Sequence, residues 1–191
     1  MKELIRAQLN ESRAALEAAS SLTDAIAESA AILIGALRHG RRVLVCGNGG
    51  SASDAEHFAA EVVGRFESER VGLPCLALTT NTSLLTAWSN DRGFDTTFAR
   101  QVRTFGTEGD VLVAISTSGD SPSVLHAMEA AAEIGMARIS LTGRGGGKLG
   151  TLKGACHLVV PVAQTCRIQE VHIAIIHIWA RLIDDAWSGR R

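Results

Sequence analysis

Neither sign of charge is in excess in this 191-residue chain, where 19 Lys and Arg stand against 20 Asp and Glu for a formal net charge of -1. A surface built to hold nucleic acid carries a basic surplus, so no nucleic-acid partner is expected. Thiol pairs are also missing. Cys46, Cys75, Cys156 and Cys166 form no CxxC pair, which argues against a thiolate zinc site. Three of them lie in or beside apolar runs, where a free cysteine packs as a small core residue. Reduced thiols of this kind fit a cytoplasmic protein. Long hydrophobic runs are lacking too: the longest are strand-length, short of the ~20 residues a membrane helix needs. The opening Met-Lys-Glu-Leu-Ile-Arg holds no apolar signal core, so neither processing nor a membrane partner is expected. No GKS or GKT marks a Walker loop. Gly47-Asn48-Gly49-Gly50 lacks the full glycine spacing of a dinucleotide fingerprint, and no ribose-binding acid is evident.

What remains is the composition of an ordinary globular chain, 46% hydrophobic and 20% charged. Its length suits one domain over 1–191. Residues 1–40 carry helical periodicity, with a break near Ser20-Ser21, a cap at Thr23-Asp24 and a stop at Gly40. They predict a helical hairpin. Over 41–165 the period changes. Val43–Cys46, Pro74–Leu78, Asp110–Ile115, Arg138–Leu141 and Leu158–Val162 are short β-rich runs, separated by helix-length segments or loops. Strands apolar on both faces and spaced this way predict a five-stranded parallel sheet buried between helices, with ligands at the carboxyl ends of the strands. Residues 166–187 predict a long C-terminal helix, and the tail from Ser188 is expected to fray.

The stretch from Val43 to Glu61 organises the chain. It reads as strand, glycine-rich loop (Asn48, Gly49, Gly50, Ser51) and helix. A second turn, Ser116-Thr117-Ser118-Gly119-Asp120-Ser121, also follows an apolar strand and precedes a helix opened by Pro122. Hydroxyls and amides at a helix N-terminus hold a phosphate without Lys or Arg. One such turn alone reads first as a helix cap; two on one sheet edge predict a phosphate site. His57 and Glu61, four apart, share a helix face. An exposed pair of this kind is ordinary, and His177 among isoleucines reads either as a satisfied core residue or as a functional one. With Gln169 they could bind zinc tetrahedrally, although glutamine is an uncommon ligand.

Taken together, Cys46-Gly47-Asn48-Gly49-Gly50-Ser51, Asp54, His57 to Glu61, Arg65-Phe66, Leu78-Thr79-Thr80, Asn90-Asp91, Ile115 to Gly119, Leu141-Thr142-Gly143 and Arg167-Ile168-Gln169-Glu170 with His172 and His177 resemble the bacterial phosphoheptose isomerases, in order along nearly the whole chain. The resemblance implies an α/β fold, the flavodoxin-like three-layer αβα sandwich of the sugar isomerase (SIS) domain. It implies a homotetramer with active sites at subunit interfaces. By the same resemblance, Ser51, Ser116, Thr117, Ser118 and Ser121 hold the substrate phosphate. Asn48, Gly49, Gly50, Asn90 and Asp91 line the sugar site, with Arg65 close by. His57, Glu61, Gln169 and His177 match one zinc site per subunit, and Glu61 and His177 match the catalytic pair. Trp88-Ser89 and Cys166 depart from the residues expected there, in the lining of the sugar pocket.

The implied reaction converts D-sedoheptulose 7-phosphate to D-glycero-D-manno-heptose 7-phosphate through an enediol, a step toward bacterial surface polysaccharide. Two other readings share the fold. One is a non-catalytic tetramer that binds the bacterial replication initiator; Phe66 to Arg70 would suit that group. The other is an isomerase or sensor of another sugar phosphate. The complete His57–Glu61–Gln169–His177 set favours the enzyme.

Overall fold

The computed structural model describes residues 1–188; the expected fraying beyond Ser188 falls outside the described residues. The helices are α1 (Lys2–Ala18), α2 (Thr23–Arg38), α3 (Gly50–Val63), α4 (Thr82–Arg92), α5 (Thr97–Phe105), α6 (Pro122–Ile134) and α7 (Thr165–Trp187). The strands are β1 (Val43–Gly47), β2 (Cys75–Ala77), β3 (Val111–Ser116), β4 (Ala137–Thr142) and β5 (Cys156–Val159). All pair in parallel, in the order β2-β1-β3-β4-β5. Alternation along the strands explains the layers. Val43, Val45, Val111, Val113 and Ile115 face α2, α3 and α7 in one core. Leu44, Cys46, Leu112 and Ala114 face α5 and α6 in the other. The expected αβα sandwich with a five-stranded parallel sheet is what forms.

The order of the sheet reverses at β1, which lies between β2 and β3. Register pairs Gly47 with Ile115 there, so the loops leaving β1 and β3 emerge side by side. Such a switch point is where open α/β sheets bind ligands.

The expected hairpin over residues 1–40 does not form. A 3-10 turn at Ala19–Leu22 joins α1 to α2, and Ala18, Ala19 and Thr23 all keep right-handed helical dihedrals. The chain therefore continues without reversing: four tightened residues replace a turn, and no glycine supplies a left-handed corner. Lys2–Arg38 is long and apolar enough to cross a membrane, with a mean hydropathy of 1.3 over an 18-residue window. Charged residues interrupt every such window, so the uninterrupted apolar runs stay strand-length. Its α2 half buries Ile26, Ala30, Leu33 and Leu37 against the sheet, as a core helix does. On α1 only Ala15 is buried, and Leu4, Ile5, Leu9 and Leu16 stand exposed.

β5 starts two residues before the expected run and ends at Val159. Cys156 there is buried and donates its S–H to the Ala25 carbonyl at 3.8 Å. Burial pushes the thiols of Cys46 and Cys156 up, to about 12 and about 11. Both therefore stay neutral and unreactive in the core.

Candidate active site

Two turns and three helix N-termini converge on one cavity. Its walls are Asn48, Gly49, Gly50 and Ser51 from the β1–α3 loop, Ile115, Ser116, Thr117, Ser118 and Ser121 from the β3–α6 loop, and Thr165 and Gln169 from the start of α7. The cavity measures about 240 Å³, room for a phosphoryl group and the near end of its sugar. Gly49 opens α3 at φ +58, a left-handed conformation that suits glycine. A Cβ on Gly50 would run into the Gln169 amide, so α3 and α7 meet closely only because that position is bare.

The serine hydroxyls of the second turn cluster together. Ser121 stands at the N-cap of α6, yet its side chain makes no capping bond. Its Oγ lies 3.1 Å from Ser116 Oγ, which lies 3.4 Å from Ser118 Oγ. Ser116 Oγ also accepts from the Gly119 N–H at 3.2 Å, and Ser118 Oγ accepts from the Asp120 N–H at 3.2 Å. Asn48 Nδ2 donates to Ser123 Oγ at 3.0 Å, tying the β1–α3 loop to the first turn of α6. Around the cavity the amide-rich starts of α3, α6 and α7 add partial positive charge. Thr165 is the wall the sequence reading missed; a lone threonine after Pro161 carries no signal until α7 places it.

Gly119 holds this turn in shape. At φ +72 it packs against the backbone of Gly146 and Gly147, and an added Cβ would strike the Gly146 carbonyl. Leu149 N–H donates to the Gly119 carbonyl at 2.9 Å, and Lys148 N–H donates to Asp120 Oδ1 at 3.0 Å. Backbone on both sides leaves no flexible group to yield. Gly119→Ala is expected to strain the loop by about 1–3 kcal/mol. It should raise KM roughly tenfold at a similar kcat; unchanged steady-state kinetics would contradict it.

The ionisable residues gather one layer outward. His57 Nε2 and Glu61 Oε1 are 3.1 Å apart on α3. The His57 ring meets His177 of α7 edge-on, with centroids 5.1 Å apart. Phe66 stacks on His177 at 5.4 Å and 22°. A neighbouring cavity of about 400 Å³ is lined by Ser53, Asp54, His57, Cys166, Gln169, Glu170 and Ile173. Gln169 lines both cavities and so links the hydroxyl cluster to the histidines. Burial raises the Asp54 carboxyl to about 6, against the pull of His57, and its Oδ2 is buried with no partner. His172, in contrast, is a core residue: wholly buried beside the Thr142 carbonyl at 3.2 Å, it is pushed down to about 4 by burial. It stays neutral at physiological pH.

His57, His177, Glu61 and Gln169 could offer a zinc ion two imidazoles, a carboxylate and an amide oxygen. The 3.1 Å between His57 and Glu61 matches an edge of a tetrahedron with bonds of about 2 Å. Among the described residues no three His, Cys, Asp or Glu side chains form a ready cage. His177 joins the pair through its ring edge and Gln169 through the shared wall.

Glu61 and His177 meet His57 but line neither cavity, and Arg65, Asn90 and Asp91 are not brought to either within this chain. Arg65 Nε pairs with Glu69 at 2.9 Å, half exposed. Asn90 Nδ2 donates to Asp91 Oδ1 at 3.0 Å on the exposed side of α4. 

The sequence and fold recur in known proteins. The SIS domain family matches residues 8–143. The phosphoheptose isomerase of Rhodospirillum rubrum is 55% identical over 162 residues, 85% of this chain and 86% of that one. That of Geobacter metallireducens is 51% identical over 187 residues, 96% of this chain and 97% of its own. The solved structure of phosphoheptose isomerase from Neisseria gonorrhoeae superposes with a TM-score of 0.92 at 45% identity, covering 96% of this chain and 98% of that one. A likeness that spans both chains almost end to end takes in the two loops, α3 and α7 together, and by it this chain belongs to the phosphoheptose isomerase family of SIS-domain proteins.

Proposed function

We propose that this protein interconverts D-sedoheptulose 7-phosphate and D-glycero-D-manno-heptose 7-phosphate in the cytoplasm, supplying heptose for surface polysaccharide. The observation that carries the reading is the meeting of α3 and α7. It sets a hydroxyl-lined cavity beside a second one lined by His57, with Gln169 as the wall between them and Glu61 and His177 against His57. Ketose–aldose conversion moves a proton between C1 and C2 through an enediol. It requires a base near both carbons and a partner for the oxygens. Glu61 takes and returns the carbon proton. His177, held in orientation by Phe66, serves the oxygens and ring opening. The serine turns and helix N-termini bind the phosphate far from the reacting carbons, contributing binding energy that fixes the sugar. Arg65, Asn90 and Asp91 contact the sugar in an assembled tetramer, a role supported by the exposed apolar residues of α1 available for self-association.

His57, Glu61, Gln169 and His177 would hold one zinc ion, which when bound supplies Lewis-acid polarisation of the carbonyl. Chelation followed by dialysis is expected to lower turnover and zinc return to restore it. Unchanged turnover in demetallated protein would remove the metal from the reaction. The substrate itself is tested by incubating a panel of ketose phosphates in deuterated solvent. Deuterium should enter beside the carbonyl fastest with the seven-carbon substrate. No exchange with any of them would overturn the isomerase reading.

A further inference from the structure

We propose that a cavity between α4 and α5 is a second anion site, for a small molecule carrying two or more phosphoryl groups. The cavity measures about 410 Å³ and is lined by Trp88, Arg92, Thr96, Arg100 and Arg103. None of these residues lines either cavity of the active site, which corrects the place in the sugar-pocket lining that the resemblance implied for Trp88. Trp88 and Arg92 are four apart on α4 and share a face, as do Arg100 and Arg103 on α5. Trp88 Nε1 donates to Thr96 Oγ1 at 2.9 Å, and the Arg100 guanidinium lies 5.1 Å from the indole centroid. The indole thereby orients one guanidinium at the rim of the cavity.

Charge decides what the cavity takes. Arg103 is matched by Glu133 at 2.8 Å. Among the described residues, Arg92 and Arg100 pair with no carboxylate. The C-terminal end of α4 favours a cation at Arg92, but Arg100 sits in the middle of α5 with no such partner. Arg92 and Arg100, both exposed, line this one cavity with their charges unmatched. A ligand with at least two negative charges and several acceptor oxygens relieves both, and planar guanidinium forks match phosphoryl oxygens in pairs. The volume lies within the range of small-molecule sites. Asn90 and Asp91 lie between Trp88 and Arg92 on α4, so the site is built on the helix that carries two residues assigned to sugar binding. The inference does not depend on the proposed reaction.

The test is titration of the intact protein with pyrophosphate, with orthophosphate in parallel, followed by calorimetry and by tryptophan fluorescence. Trp179 and Trp187 are buried, so half-buried Trp88 is the responsive indole. The titration is repeated in Ser116→Ala/Ser118→Ala, which weakens the phosphate turns, and in Arg92→Ala/Arg100→Ala. Pyrophosphate is expected to bind saturably and to bind the serine variant as it binds the parent. Its Kd should rise at least about tenfold in the arginine variant, and orthophosphate should bind about tenfold more weakly than pyrophosphate. The proposal falls if no saturable binding occurs up to about 10 mM. It also falls if the arginine variant binds like the parent, or if the serine variant alone abolishes binding.

Discussion

Glu61→Gln should lose about 10²–10⁴ in kcat while binding the sugar phosphate as the parent does. The amide has the shape of the carboxylate and can still hydrogen-bond to His57, 3.1 Å away. It cannot accept a proton from carbon. The phosphate turns stand apart, on the far side of Gln169, so calorimetric affinity for a substrate phosphate should change little. Solvent deuterium incorporation should fall with turnover, because exchange and isomerisation share the abstraction step. Zinc content measured on the same sample separates two causes. A variant with its metal retained and its exchange lost places the base at Glu61. One that keeps near-normal exchange removes Glu61 from that role.

The parts legible in the sequence were those whose signal is local. β1 and β3 are wholly buried on both faces, so they read as uninterrupted apolar runs. The serine turns lie directly after them, and a run of hydroxyls before a proline at a helix start needs no tertiary information. β5 was displaced for the opposite reason. It is half-buried in alternation and includes His157, which lies between Ser140 Oγ at 2.7 Å and the Leu152 carbonyl at 2.8 Å. The apolar run that stood in for it, Leu158–Val162, continues past the last ladder bond. α4 buries no residue at all, so no periodicity marked it. The hairpin over residues 1–40 was inferred from serines that in fact bond back to carbonyls three residues earlier: Ser20 to Glu17 at 2.7 Å and Ser21 to Ala18 at 2.8 Å. Those bonds tighten a helix without ending it. The least legible feature was Glu67-Ser68-Glu69-Arg70, which looks like a solvated charge run. Its Arg70 is completed by an aspartate 114 positions away.

That pair carries the largest expected effect on stability. Arg70→Ala should destabilise the fold by about 3–5 kcal/mol, because it leaves the Asp184 charge buried and unmatched. Both side chains are wholly excluded from solvent, and Arg70 Nε donates to Asp184 Oδ1 at 2.7 Å. Asp184 Oδ2 accepts from the backbone N–H groups of Glu67 and Ser68, each at 2.8 Å. The rest of the guanidinium closes the end of α3: Nη2 donates to the Glu61 carbonyl at 2.7 Å, and Nη1 to the Val62 carbonyl at 2.9 Å. Carbonyls in a helix's last turn have no partner within the helix, so one side chain caps the helix that carries Glu61 and anchors it to the helix that carries His177. Domains of this size hold only about 5–15 kcal/mol in all, and a loss of that order should lower Tm by roughly 10 °C. Arg70→Lys keeps the charge but not the fork, and should fall between. Acid supplies an independent check. Burial pulls the Asp184 carboxyl up, but the Ser68 and Glu67 amides and Arg70 together hold it below the usual carboxylate range. A lowered folded-state value means that the stabilisation is complete above the ordinary carboxylate value of about 3.9 and is lost as pH falls through the folded one. The parent should therefore lose its advantage over Asp184→Asn as the pH of the melt is taken below about 4. Equal gaps between the two proteins at pH 7 and pH 3 would show that the pair contributes through packing rather than charge.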